Sequence, residues 1–142
     1  MYKVEHHVGR LVEAKLASPL TMEEVQQFAR SHMAIMAKIN GKYVGVVDLL
    51  EAHVSPSNVA ETLIQMLSGA ATHVERSALL IGESATFALQ VERVLRSGNN
   101  PNRRAFRRVE ELVHWLSEVL TVPERVRLDR FVHEMTAKPA VK

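Results

Sequence analysis

Cysteine is absent from the 142 residues. Disulfides, thiolate metal sites, iron–sulfur clusters and cysteine nucleophiles are thereby excluded, and a chain of this length can bury a stable core without such staples. Aromatic residues are scarce, at 5%, and two tyrosines and one tryptophan offer little to the base-stacking surfaces of single-stranded nucleic acid binders. Charge of one sign is lacking too: a formal net charge of +2 is too small to hold a polyanion by its field. No apolar run approaches the roughly 20 residues that span a bilayer. Met1-Tyr2-Lys3-Val4-Glu5-His6-His7 carries charge where a signal peptide needs its apolar stretch. The expectation is a cytoplasmic protein with no membrane span and no nucleic-acid partner.

What the chain does have is a globular balance, 46% hydrophobic and 24% charged residues. Apolar residues alternate with charged ones from Tyr2 to Leu16 around Gly9-Arg10, which predicts a hairpin. Thr21-Met22-Glu23-Glu24 forms a capping box, and Val25, Phe28, Ala29, His32, Met36 and Ile39 follow at helical spacing. A helix from Thr21 to Asn40 is predicted, closed by Asn40-Gly41 in left-handed conformation. Lys42 to Leu50 reads as a central strand covered on both faces. Ser55-Pro56 opens a second helix, Arg76 to Gly82 is a further strand, Ser84 caps a third helix that Gly98 ends, and Arg104 to Val109 is an edge strand guarded by arginines. Helices from Glu110 to Leu120 and after the capping box Thr121-Val122-Pro123-Glu124 complete the chain. The order β-β-α-β-α-β-α-β-α-α predicts a small α/β fold with a mixed, mostly parallel sheet. Residues 1–135 read as one domain and 136–142 as a flexible tail.

The segments Gly9, Leu11 to Leu16, Leu20-Thr21-Met22-Glu23-Glu24, Val46-Val47-Asp48-Leu49-Leu50 and Ser55-Pro56-Ser57-Asn58 together resemble the STAS domain. That family includes the anti-sigma-factor antagonists. Arg104-Ala105-Phe106 leading into Val109-Glu110-Glu111-Leu112 and Trp115-Leu116 is similar to the last strand and helix of its looser relatives, the bacterial STAS-like or lipid-transfer-like small proteins. The likeness is one of pattern and covers about Tyr2 to Leu120. It implies a non-catalytic regulatory module, without cofactor, that docks a bacterial protein partner through Val54 to Val59. The antagonists carry an Asp-Ser-Ser-Gly stretch with a phosphorylated serine. Here Val54-Ser55-Pro56-Ser57-Asn58-Val59 has neither that Asp nor that Gly, and placing Asp48 on the family aspartate brings Ser57 or Asn58 near the phosphorylated position.

Each candidate site has a plain structural reading beside the functional one. Ser55 and Ser57 read as helix caps, or as phosphoacceptors whose added charge would meet the positive end of a helix dipole. Asp48, ending a central strand, reads as a turn cap or as a ligand-orienting carboxylate. Arg103, Arg104, Arg107 and Arg108 read as a solvated strand edge or as an anion-binding cluster. The seven histidines are scattered; His6 and His7 point to opposite faces of a strand, so no metal site is expected, and His32 reads as a buried, hydrogen-bonded imidazole. No nucleophile elbow or phosphate loop occurs. Met22, Met33, Met36, Met66 and Met135 fill core gaps or line an apolar cavity. Two readings of function follow: a protein-interaction module docking around Val54 to Val59, or a carrier of a lipid or other small apolar ligand beside the first helix. The hairpin edge would also permit a homodimer.

Overall fold

The computed structural model describes residues 1–53, 56–69, 72–98 and 100–137; within these, nothing is said of the side chains at 57, 64, 67 and 68. Five strands form one sheet in the order β1-β2-β3-β4-β5: β1 (Tyr2–Val8), β2 (Leu11–Leu16), β3 (Tyr43–Leu49), β4 (Val74–Ile81) and β5 (Arg103–Phe106). The hairpin pair β1–β2 is antiparallel and every other pair is parallel, so the α/β class and mostly parallel sheet expected from the sequence are observed. The helices are α1 (Met22–Met36), α2 (Ser57–Gly69), α3 (Ala85–Gly98), α4 (Val109–Ser117) and α5 (Val122–Thr136). None of the described helices is long and apolar enough to cross a membrane.

Strand order dictates which face each helix covers. From β2 to β5 each crossover advances one strand in the same direction, and right-handed crossovers then put α1, α2 and α3 on one face. The opposite face is left to α4 and α5. Alternation along the strands supplies a different side-chain set to each. Leu11, Val44, Val46 and Leu80 meet Leu112, Leu116 and Leu128 on the α4–α5 face. Ala14, Leu16 and Leu49 meet Phe28, Phe87 and Val91 on the α1–α3 face.

Both capping boxes form as the sequence predicts. The Thr21 hydroxyl accepts from the Glu24 N–H at 3.1 Å while the Glu24 carboxylate accepts from the Thr21 N–H at 3.1 Å. Ser84 accepts from the Phe87 N–H at 3.3 Å at the start of α3. The end of α1 differs from expectation. The helix stops at Met36 with Ala37 as C-cap, and Lys38 and Ile39 continue as tight turns whose N–H groups bond three residues back. Gly41, at φ +93°, makes the left-handed reversal only as the chain enters β3. The Ser18–Pro19 peptide is cis.

Charge docks α5 onto the hairpin. Glu13, 1% exposed on β2, receives two parallel bonds from the Arg127 guanidinium, Nε and Nη2 each at 2.6 Å. Glu124, buried at the start of α5, accepts from the Thr121 N–H at 2.8 Å and from the Arg10 N–H at 2.6 Å. Burial would raise the Glu124 carboxyl, but these N–H donors outweigh it and hold its pKa below the usual range. The Glu124 carboxylate also sits where a side chain on Gly9 (φ +56°) would go, which explains a glycine in the hairpin turn on two counts. Arg10 extends the tie, its Nη1 reaching the Glu75 carboxylate at 2.5 Å and its Nη2 the Val119 carbonyl at 3.0 Å.

A buried carboxylate that loses its only guanidinium is costly, whereas replacing both partners by apolar groups is close to neutral. Arg127→Met is therefore expected to destabilise the fold by about 3 kcal/mol. The double variant Glu13→Leu/Arg127→Met is expected to recover most of that loss, as read from urea denaturation midpoints.

Candidate functional site

The two faces of the sheet are not filled alike. On the α1–α3 side the register aligns Val12, Gly45, Ser77 and Arg103 in one row across four strands, and Ala14, Val47, Leu79 and Ala105 in the next. Glycine, serine and alanine in the middle of a sheet leave space under the helices that cross it. That space is a cavity of about 100 Å³. Leu63 and Met66 of α2, Phe28 of α1 and Val91 of α3 enclose it, and Ala52 and Leu20 line it beyond the carboxyl ends of β3 and β2. Open α/β sheets bind ligands at that end.

Most of the lining is apolar; among its polar residues, Ser18 lies beyond the carboxyl end of β2 and Gln90 on α3, while His32, Tyr43, Ser77 and Arg103 stand together near the first residues of β3 and β5. Arg103 is 7% exposed and lies inside the cavity lining. Its guanidinium lies near the hydroxyl of Tyr43, itself buried. Burial raises the pKa of that phenol, and Arg103 opposes the rise. Gly45 makes room for this arrangement: a Cβ there would stand 3.0 Å from the Ser77 hydroxyl and 3.2 Å from the Tyr43 ring. His32 packs edge-on against Tyr43 with ring centroids 5.0 Å apart, and against Phe28 at 5.8 Å. Its pKa is lowered to about 4, first by burial and then by the positive charge of Arg103. The imidazole is buried as expected, but the expected hydrogen bond is missing at Nδ1, which has no partner among the described residues.

The sequence-predicted sites fall elsewhere, with one exception. Val54 and Ser55 lie outside the described residues, and the side chain of Ser57 is not described. Asn58 is exposed, its Oδ1 accepting from the Val59 N–H at 3.0 Å. Val59 belongs by its spacing to the buried stripe of the second helix as well as to the expected docking turn; it is 3% exposed and turned into the core, as the stripe requires and against a partner-facing role. Asp48 is buried at 4% exposure and accepts from the Leu50 N–H at 2.9 Å, which is turn capping. Burial raises its pKa. Strand alternation puts it on the face opposite its neighbours Val47 and Leu49, which line the cavity, so it does not reach that site. The exception is Arg103, and it breaks up the expected anion-binding cluster. Pairing of β5 with β4 sends Arg103 inward with Ser77, and the next residue, Arg104, to the other face. There Arg104 stacks on Trp115 at 5.4 Å, with Arg76 at 4.9 Å. Arg107 and Arg108 are exposed beyond the strand.

Glu5, His7 and Glu13 bring ligand atoms within 4.8 Å of one another on the hairpin. Both Glu13 oxygens already accept from Arg127, so a cation would have to displace the guanidinium. Sequence reasoning passed over Tyr43, Gly45 and Ser77. The one available signal was Gly45, a glycine inside a central strand, where close approach of another group is a common cause. Comparisons with protein-family models, with curated proteins and with solved structures each return no match.

The lowered pKa of His32 has a stability consequence whose sign is fixed. The unfolded imidazole takes up a proton near pH 6.5, the folded one only near 4, so acid favours the unfolded chain across that window. His32 is thus expected to contribute a loss of stability as pH falls from 6.5 towards 4, about 3 kcal/mol in total. In urea titrations at pH 6.5, 5.5 and 4.5, His32→Phe should flatten the slope; equal slopes in wild type and variant would contradict the assignment.

Proposed function

We propose that this chain is a non-catalytic binding domain and that its ligand is a small apolar molecule held between the sheet and α1–α3. The observation that carries the reading is the cavity itself, roofed by Leu63 and Met66 and floored by the small residues Ala14, Gly45 and Ser77. Interiors are ordinarily packed without voids of this size. An engineered apolar cavity of about 150 Å³ in another protein binds benzene, so about 100 Å³ suits a body of roughly four to six heavy atoms. Binding is favoured over catalysis by His32. It is the cavity group whose ordinary pKa suits proton transfer, and a folded pKa of about 4 leaves it a weak base near neutrality.

The resemblance to STAS-like and lipid-transfer-like small proteins supports the same choice of a module that binds. Docking of another protein around Val54 to Val59 is the other reading open from sequence. The inward-facing Val59 gives it less support than the cavity gives to a small ligand.

Benzene titrated into the protein is expected to shift the methyl resonances of Val47, Leu63 and Leu79, with saturation in the submillimolar to millimolar range. Burying six carbons at roughly 0.8 kcal/mol each corresponds to that affinity. Ala14→Leu fills the floor and should abolish these shifts while changing stability by no more than about 1 kcal/mol. Absence of any shift in the cavity methyls of wild type would overturn the reading.

A further inference from the structure

We infer that the ligand of this cavity is a compact apolar alcohol, a neutral molecule whose single hydroxyl exchanges hydrogen bonds with Ser77 Oγ and His32 Nδ1. This chemistry rests on the cavity being a binding site and adds what kind of molecule it takes. The strand register sets Ser77 of β4 beside Gly45 of β3, and both line the cavity. The Ser77 Oγ stands 3.0 Å from the point that a Cβ on Gly45 would occupy. A bare glycine therefore leaves the floor of the sheet open beside this hydroxyl, where any side chain would crowd it. His32 lines the same cavity from α1, and its Nδ1 is buried without a hydrogen-bond partner among the described residues. Ser77 and His32 are both more than nine-tenths buried. Beyond them, towards the carboxyl ends of the strands, Leu16, Leu49 and Phe87 offer only apolar surface.

A polar atom withdrawn from water and left unmet carries its full desolvation cost, and native interiors rarely keep one. A ligand that meets His32 Nδ1 supplies what these neighbours do not. Donor and acceptor capacity decides which group can do so. A neutral imidazole has one nitrogen that donates and one that accepts, and a serine hydroxyl does either. Burial, with the charge of Arg103 second, lowers the His32 pKa to about 4, so the ring is neutral at pH 7. With its proton on Nε2, Nδ1 accepts and the ligand must donate; with the proton on Nδ1, the ligand must accept. A hydroxyl serves in both cases and still has capacity for Ser77, whereas an ether oxygen only accepts. Charged head groups fit less well. None of the described lining residues is acidic, so an ammonium would be buried without a counter-charge. Arg103 has interactions of its own, so its charge is not at the disposal of a carboxylate. A volume of about 100 Å³ suits an alcohol of about four carbons.

The test uses three probes at pH 7 on the full chain: benzene, 1-butanol and its isomer diethyl ether, which has the same atoms but no O–H. Binding is read from methyl resonance shifts, and the His32 ring nitrogens are followed by nitrogen-15 resonance. The expected result is that 1-butanol binds about tenfold more tightly than diethyl ether, the worth of roughly one well-made hydrogen bond. Ser77→Ala, which removes the hydroxyl and little volume, should bring this ratio to within about threefold while benzene affinity is retained. In the wild type the His32 Nδ1 resonance should move with 1-butanol and stay in place with diethyl ether; this measurement decides the matter if Ser77→Ala does not fold. Benzene binding with equal affinity for 1-butanol and diethyl ether would overturn the alcohol assignment and leave the cavity reading standing. Failure of benzene to bind would overturn both. A 1-butanol preference that survives Ser77→Ala unchanged, or a Nδ1 resonance indifferent to 1-butanol, would place the hydroxyl elsewhere and also overturn the assignment.

Discussion

The Arg103 guanidinium, carried inward by the first residue of the edge strand, sets the terms for the whole α1–α3 side of the protein. A charge taken out of water needs partners and space. Tyr43 sets its phenol beside the guanidinium, and Ser77 and Gly45 supply space because neither carries bulk above the sheet. The same charge, together with burial, keeps His32 neutral. An imidazolium would add a second positive charge in the same apolar enclosure. The cavity is thus what remains when a row of small residues makes way for one long cation and the helices above cannot collapse onto the floor.

Much of the fold could be read from the chain, because its punctuation is local. Thr21 with Glu24 and Thr121 with Glu124 mark helix starts through contacts within four residues, and both boxes form. Strand and helix order along the chain followed from periodicity, and the mostly parallel sheet from the alternation of strands with helices. What could not be read depended on partners distant in sequence. Whether Arg103 or Arg104 faces inward is decided by the pairing of Ser77 with Arg103, and a shift of one residue would exchange them. Four arginines in six residues therefore looked like one solvated cluster, whereas the sheet separates Arg103 from Arg104 to opposite faces. The hydrogen bond expected for His32 is missing at Nδ1 among the described residues for a similar reason, since the ring packs against Phe28 and Tyr43 and those neighbours come from the fold. Asp48 was legible as a turn cap because its partner, the Leu50 N–H, is two residues away.

The looseness on one side of the sheet is tolerable because the other side is closed. Leu11, Val44, Val46 and Leu80 present branched side chains to α4 and α5, and residues of this kind fill space with defined rotamers. The last helix is held to the hairpin by specific charge contacts, Arg127 to Glu13 and the Arg10 N–H to Glu124, so its position does not rely on apolar packing alone. Such ties select one docking geometry. A helix held by shape alone could slide, and sliding would carry the sheet's register with it. With β1 and β2 fixed from the α5 side, the strand rows that form the cavity floor keep their alignment even though Gly45 and Ser77 contribute little packing to it. The α1–α3 side has a packed core of its own in Phe28, Leu49, Phe87 and Val91, and the closed α4–α5 side lets it keep an internal space and a buried cation beside that core, features that would be a liability in a protein with only one packed face.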